Sequence, residues 1–173
     1  MLDGILNELQ AAAGRISEDA VERCARKISA HERIFVYGAG RSGLMLKALA
    51  MRLMQLGKTV YAVGETITPA IRKGDLLIVA SASGTTHSVC YYAKEAVNMQ
   101  ADVLVITAEE KSALAAIVPP DVIIPAPTKH NLPTSGQLMG SLFEQMVLLF
   151  SDAVAMALAD DRQTLSRNHA NLE

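Results

Sequence analysis

Two stretches decide the predicted fold: Arg33–Gly43, which reads RIFVYGAGRSG, and Leu76–Thr86, which reads LLIVASASGTT. Each begins with an apolar run and ends in a loop of small and hydroxyl residues, a pattern typical of a strand, a tight loop and a helix. The apolar runs of the chain occupy 33–37, 58–63, 75–81, 102–107 and 121–125. Helical stretches or loops separate these five runs. They therefore predict an α/β fold with a doubly wound, five-stranded parallel sheet flanked by helices.

The two loops also predict a ligand. Glycine lets the backbone turn sharply and approach a bound molecule, and the amides that open the following helix favour an anion. Both loops follow strands of one parallel sheet, so we expect both at its carboxyl edge, where open α/β sheets bind ligands. We predict that a phosphate group binds between them. The alternative that stays open is that both loops are only tight turns.

The composition indicates one globular domain over residues 1–173. Half of the 173 residues are apolar (50%) but only 4% are aromatic, which suits helices packed on a parallel sheet. The net charge is −2 and there is no basic tract, so we expect no nucleic-acid partner. Cys24 and Cys90 lie far apart and are expected to be reduced, and residues 1–10 show no signal-peptide pattern. These features favour a cytoplasmic protein.

Both ends of the chain have helical patterns. Residues 1–30 predict two helices, the second starting at Ser17, and we expect them to pack against something other than the sheet. Residues 136–159 predict one long helix that is apolar on nearly all sides and must be covered throughout. Glu144 and Asp152 interrupt its apolar run, which argues against a membrane span. We expect another subunit to cover this helix. We also expect the N-terminal helices (about 1–30) and the C-terminal helix and tail (about 136–173) to lie in contacts of a homo-oligomer.

The first glycine loop alone also fits a different class of protein. Gly38, Gly40 and Gly43 satisfy the G-x-G-x-x-G pattern of dinucleotide-binding folds, and Glu65 follows about twenty residues later. An oxidoreductase of this kind needs further chain to hold its substrate opposite the nicotinamide. It also leaves the second loop without a role. A small phosphorylated molecule held between both loops explains more of the sequence.

Several motifs resemble the sugar isomerase (SIS) family. They are the loops at 38–43 and 81–86, together with 51–54, 63–69, Phe143-Glu144 and the terminal stretch 169–173. The resemblance implies the SIS fold, which is flavodoxin-like, and a phosphosugar isomerase without cofactor or metal. It is close to members that interconvert D-arabino-3-hexulose 6-phosphate and fructose 6-phosphate through a cis-enediol, in the ribulose monophosphate pathway of formaldehyde fixation. It also implies a homotetramer.

The resemblance implies roles for the polar residues of the loops. The substrate phosphate would be bound by hydroxyl groups from both loops, namely those of Ser42, Ser81, Ser83 and Thr86. Gly40, Glu65 and Thr68 would contact the rest of the substrate. A turn role for the segment from Glu65 to Pro69 stays open beside this.

The reaction needs a base that takes a proton from carbon and an acid that transfers protons at the oxygens of the enediol. Glu144 is the predicted base, because apolar neighbours on its helix partly desolvate the carboxylate. The alternative for Glu144 is a structural ion pair with Arg41 or Arg52. The resemblance implies that His169 is an acid/base partner that reaches the active site of a neighbouring subunit, and that Arg41 neutralises the enediolate or the phosphate.

A second function stays open on the same fold, that of a sugar-phosphate sensor that binds without catalysis. Such regulators usually carry a helix-turn-helix module, and residues 1–30 are too few and not basic enough for one. The oxidoreductase reading requires binding of NAD or NADP.

Overall fold

The computed structural model describes residues 1–128, 135–159, 168, 169 and 171. Its elements follow one another as α1 (Leu2–Ala13), α2 (Glu18–Ser29), β1 (Arg33–Gly38), α3 (Gly40–Gln55), β2 (Thr59–Ala62), β3 (Leu76–Ser81), α4 (His87–Asn98), β4 (Asp102–Thr107), α5 (Ala113–Ile117), β5 (Val122–Ile123) and α6 (Ser141–Leu158). The strands form one parallel sheet in the order β2-β1-β3-β4-β5. The predicted doubly wound, five-stranded fold is confirmed.

Helices cover both faces of the sheet. On one face, Phe35 of β1 and Val79 of β3 pack with Val89 and Ala93 of α4 and with Leu114 of α5. The other face belongs to the larger core cluster, which includes alternate residues of β1, β3 and β4 and buried side chains of α2, α3 and α6. The sheet is therefore the middle layer of three, which explains why its strands are apolar runs rather than alternating patterns.

The prediction that the N-terminal helices pack outside the sheet is wrong for α2. Cys24 and Ile28 of α2 are 1% exposed and belong to the same core cluster as Ile78 of β3 and Leu104 of β4. The helices α4 and α5, which connect β3 to β4 and β4 to β5, both lie on the opposite face. On the face that α2 covers, no crossover helix therefore lies over β4 and β5, and α2 and α6 cover these strands instead. The predicted start of α2 is confirmed, since Ser17 Oγ caps this helix by accepting a hydrogen bond from Ala20 N (3.3 Å).

The long apolar helix is partly covered within the chain. By length and composition α6 could cross a membrane. However, α1, α2 and α3 all pack against it, and Phe143, Met146 and Val147 are at most 2% exposed. The chain itself thus supplies part of the cover that this helix needs, and 44% of its residues are buried. Leu149 and Met156 stay exposed on the remaining side.

Two boundaries differ from the sequence prediction. The strand expected at 121–125 is only Val122–Ile123, because Pro119, Pro120 and Pro125 flank it and proline has no amide for a sheet ladder. The helix expected from residue 136 begins at Ser141. Residues 135–140 instead form bends and turns. This segment borders the cavity at the carboxyl edge of the sheet.

The short edge strand is tied to α2 by a polar contact. Lys27 Nζ donates to Asp121 Oδ1 and to the Val103 carbonyl (both 2.8 Å), and Asp121 Oδ2 accepts from Val105 N (2.9 Å). At the end of α2, His31 lies between the Lys27 carbonyl (2.7 Å) and Asp102 Oδ2 (2.9 Å). These contacts hold the N-terminal helices on the β4 and β5 side of the sheet.

Candidate active site

The sheet order brings the two predicted loops together. In the order 2-1-3-4-5, the chain winds outward in opposite directions from β1 and β3, which makes their common edge the switch point of the fold. The parallel register pairs Gly38 with Ala80, the residues at which the two loops begin. The loops 38–43 and 81–86 therefore lie side by side at the carboxyl ends of the strands.

The first loop depends on glycine where strand and helix cross. A Cβ on Gly43 would overlap the Gly38 carbonyl oxygen, so α3 can start this close to β1 only with glycine at position 43. The close approach places Ser42 in the first turn of α3, buried and facing the space between the loops.

The second loop carries a cluster of hydroxyl groups. Ser81 Oγ and Thr86 Oγ1 share a hydrogen bond of 3.0 Å, and Ser83 Oγ lies 2.9 Å from Thr85 Oγ1. Thr86 is the N-cap residue of α4, but its hydroxyl makes no capping bond. The amides of the first turn of α4 are thus left for a ligand, as at many anion sites.

Both loops line one cavity of about 500 Å³. Ser42 comes from the first loop and Ser81, Ser83 and Thr86 from the second. Glu144, in the first turn of α6, also lines this cavity. The four predicted phosphate ligands and the predicted base are therefore brought together in a space large enough for a sugar phosphate.

The carboxylate of Glu144 is partly shielded and paired. Its side chain is 17% exposed, and its Oε2 accepts a hydrogen bond from Arg41 Nε. Arg41 is 59% exposed and comes from the first loop. The ion pair of the alternative reading is thus present with Arg41, whereas Arg52 contacts Gln55 (3.0 Å). A carboxylate held by one oxygen still has the other oxygen for a proton.

Three predicted substrate contacts lie apart from this cavity. Gly40 lines a smaller groove of about 190 Å³ beside Lys47. Glu65 forms an ion pair with Lys47, whose hydrogen bond and charge lower the pKa of that carboxyl group. Thr68 Oγ1 donates to the Ala62 carbonyl (2.7 Å), which is the turn role left open above. The contacts of Gly40, Glu65 and Thr68 with a substrate stay predictions.

The structure does not bring His169 to the cavity of its own chain. The preceding residue, Asn168, donates from Nδ2 to the Gln55 carbonyl (2.9 Å) at the end of α3. Ser42 lies at the other end of this helix, about 20 Å away at 1.5 Å per residue. His169 itself is exposed.

The sequence analysis missed one wall of the cavity. Thr128, Ser135, Gln137 and Gly140 line it beside Glu144. Thr128 Oγ1 donates to Glu109, in the loop after β4. No motif marks these residues, because Thr128 lies within an irregular proline-containing stretch and the other three follow it. The only sequence signal of Ser135, Gln137 and Gly140 is their position just before the helix that carries Glu144.

The described residues show no metal centre. Within 1–128, 135–159, 168, 169 and 171, no three His, Cys, Asp or Glu side chains come together as metal ligands. The chemistry that this part of the chain offers is therefore that of hydroxyls, helix amides, a carboxylate and a guanidinium.

Known proteins resemble this chain over nearly its whole length. It is 43% identical to a 3-hexulose-6-phosphate isomerase of Mycobacterium gastri, over 98% of this chain and 88% of the relative. It is 41% identical to the protein of the same name from Bacillus subtilis, over 98% and 95%.

A solved structure also matches. The crystal structure of a Methanococcus jannaschii protein, for which the function of 3-hexulose-6-phosphate isomerase has been inferred, superposes with a TM-score of 0.82 at 32% identity, covering 99% of this chain and 98% of that one. The sequence profile of the SIS domain matches residues 27–149, which include both loops and Glu144. The chain belongs to the SIS domain family.

Proposed function

We propose that this chain catalyses the interconversion of D-arabino-3-hexulose 6-phosphate and fructose 6-phosphate. The observation that carries the proposal is the single cavity in which a hydroxyl-rich anion site and a shielded carboxylate meet. The relatives that match over nearly their full length bear the name of this isomerase. The reaction belongs to the ribulose monophosphate pathway of formaldehyde fixation.

The phosphate end of the substrate binds at the loops. Ser81, Ser83 and Thr86 donate hydroxyl hydrogen bonds to the phosphate oxygens, and Ser42 donates from the opposite loop. The first amides of α4 add the positive end of the helix dipole. Binding at this end leaves the carbonyl end of the sugar chain in the part of the cavity that Glu144 lines.

The isomerisation moves one hydrogen between neighbouring carbons. Glu144 takes the proton from C2, the C2–C3 bond becomes double, and O3 gains a proton, which gives the cis-enediol. Return of the proton to C3 and loss of the proton from O2 leave the carbonyl at C2. Arg41 holds Glu144 in place and faces the negative charge of the enediolate. His169 of a neighbouring subunit transfers protons to O3 and from O2, the role for which a histidine side chain is suited.

The site argues against the oxidoreductase alternative. In a dinucleotide fold, the acidic residue after the second strand binds the ribose next to the glycine loop. Here Glu65 is paired with Lys47, and the hydroxyl loop 81–86, which lines the cavity, has no part in the dinucleotide pattern.

Glu144→Gln tests the base directly, because glutamine keeps the shape and cannot accept the proton. We expect turnover of 3-hexulose 6-phosphate to fall by about 10² to 10⁴. The assay follows fructose 6-phosphate in the presence of a metal chelator. Asp152→Asn is the matched control, an exposed acid on the same helix, and should keep wild-type turnover. Near-normal turnover of Glu144→Gln would mean that Glu144 is only structural.

Subunit mixing tests the role of His169. We propose a cytoplasmic homotetramer of one domain per chain, with the terminal helices and the tail in subunit contacts and with His169 reaching the neighbouring site. Glu144→Gln and His169→Ala subunits would then be inactive alone, and co-refolded mixtures would regain activity. A site built from Glu144 of one chain and His169 of the other would be intact. If both residues served the same chain, no mixture would recover.

A further inference from the structure

The carboxylate of Glu8, in α1, accepts hydrogen bonds from three successive residues, of which Ser135 and Gln137 line the cavity. Gly136 N donates to Glu8 Oε1 (2.8 Å), and the Ser135 hydroxyl donates to Oε2. Gln137 Nε2 lies 3.4 Å from the same oxygen. The contact is closely fitted, because a Cβ on Gly136 would lie only 3.1 Å from Oε1. More than a hundred residues of sequence separate the two partners.

The segment that Glu8 holds forms part of the active site. Ser135 and Gln137 line the cavity, and Gly140 leads into the helix that carries Glu144. Residues 135–140 have neither helix nor strand structure. Because no regular backbone ladder fixes them, their position depends on individual tethers, and a carboxylate that accepts several hydrogen bonds is a strong one.

Electrostatics favour the tether at neutral pH. The hydroxyl of Ser135 and then the amide of Gly136 hold the pKa of Glu8 below its ordinary value. Each of these hydrogen bonds goes to the ionised form. The carboxylate is therefore charged at neutral pH and able to accept all of them.

We propose that Glu8 is a positioning residue of the active site, which holds the wall at Ser135–Gln137 against the cavity and thereby makes α1 part of substrate binding. The inference rests on the proposed function. Glu8 does not line the cavity itself, so it acts through the wall and not on the reacting atoms. Its loss should weaken binding more than it slows the chemical step.

The test measures both the Kd of fructose 6-phosphate, by calorimetry, and turnover. For Glu8→Ala we expect Kd and KM to rise about tenfold, equal to about 1.4 kcal/mol, with kcat changed less than about threefold. Glu8→Gln keeps an acceptor for Gly136 N and should recover most of the affinity. Asp3→Ala, which removes an exposed carboxylate from the same helix, should leave both constants unchanged.

The outcomes separate this inference from the proposed function. A Kd for Glu8→Ala within about twofold of wild type would overturn the positioning role, even if the melting temperature fell. Absence of wild-type turnover on 3-hexulose 6-phosphate would instead overturn the proposed function, while the Kd still reports on Glu8. If Glu8→Ala does not fold, Ser135→Ala removes from the other side the hydroxyl hydrogen bond, one of the three that form the tether. An unchanged Kd for that variant would equally overturn the inference.

Discussion

Gly84→Ala should disable the hydroxyl loop through packing, although it removes no ligand of the phosphate. Gly84 has a φ of +60°, in the left-handed region that costs other residues about 1–2 kcal/mol. An added Cβ would overlap the Ser112 hydroxyl and lie 2.6 Å from Ser112 Cβ. Ser112 has little freedom to move, because its Oγ caps α5 by accepting from Ala115 N (3.1 Å). The methyl group must therefore displace the loop or break the cap.

The expected loss of stability follows from these contacts. Losing the cap costs about 1 kcal/mol, and overpacking at a closed position costs about 1–3 kcal/mol. With the backbone strain, we expect the free energy of unfolding to fall by about 3–6 kcal/mol. Gly84 N donates to the Ser81 carbonyl (3.2 Å), so a displaced loop also moves the phosphate ligands. We therefore expect the Kd of fructose 6-phosphate to rise at least about tenfold.

Two other glycines provide matched controls for urea unfolding. Gly74 has a φ of +88° and no atom near its added Cβ, so Gly74→Ala should show the backbone strain alone. Gly4 lies within α1 with open space around it, so Gly4→Ala should stabilise the protein by about 0.8 kcal/mol. If Gly84→Ala cost no more than Gly74→Ala and left the Kd unchanged, Ser112 would yield freely and the packing argument would be refuted.

Two further predictions concern the core. Asp121→Ala removes the acceptor of Lys27 Nζ and Val105 N. It should lower the free energy of unfolding by about 2 kcal/mol in urea titrations. The control Glu22→Ala, which breaks an exposed ion pair with Arg26, should lower it by less than about 0.5 kcal/mol. Burial raises the pKa of Cys24 to about 12, so iodoacetamide at pH 8 should modify Cys24 only after denaturation. The half-buried Cys90 should react in the native protein. Equal labelling of both thiols in native buffer, read by mass spectrometry, would contradict this.

Much of the fold was predictable because its signals are local. An apolar run followed by a small-residue loop identifies a strand and the helix after it, whatever the rest of the chain does. The same holds for Ser17, whose cap depends on a residue three positions away. The position of both loops at one edge of the sheet was likewise predictable, because both follow strands that must end at the same edge of a parallel sheet. Glu144 was predicted as the base from the apolar residues beside it on its helix, whereas the roles of the four hydroxyl residues and of His169 came from the family resemblance.

What the sequence by itself determined is the parallel sheet and the two loops at its carboxyl edge, since these depend on neighbouring residues and on the rules that govern parallel strands. Only the tertiary structure decided that α2 covers the sheet, that Arg41 pairs with Glu144, and that Glu8 tethers the wall at residues 135–137. Each of these contacts joins residues far apart in the chain. Their formation depends on the order of the strands and on which face of the sheet each helix covers, and no local sequence pattern predicts either.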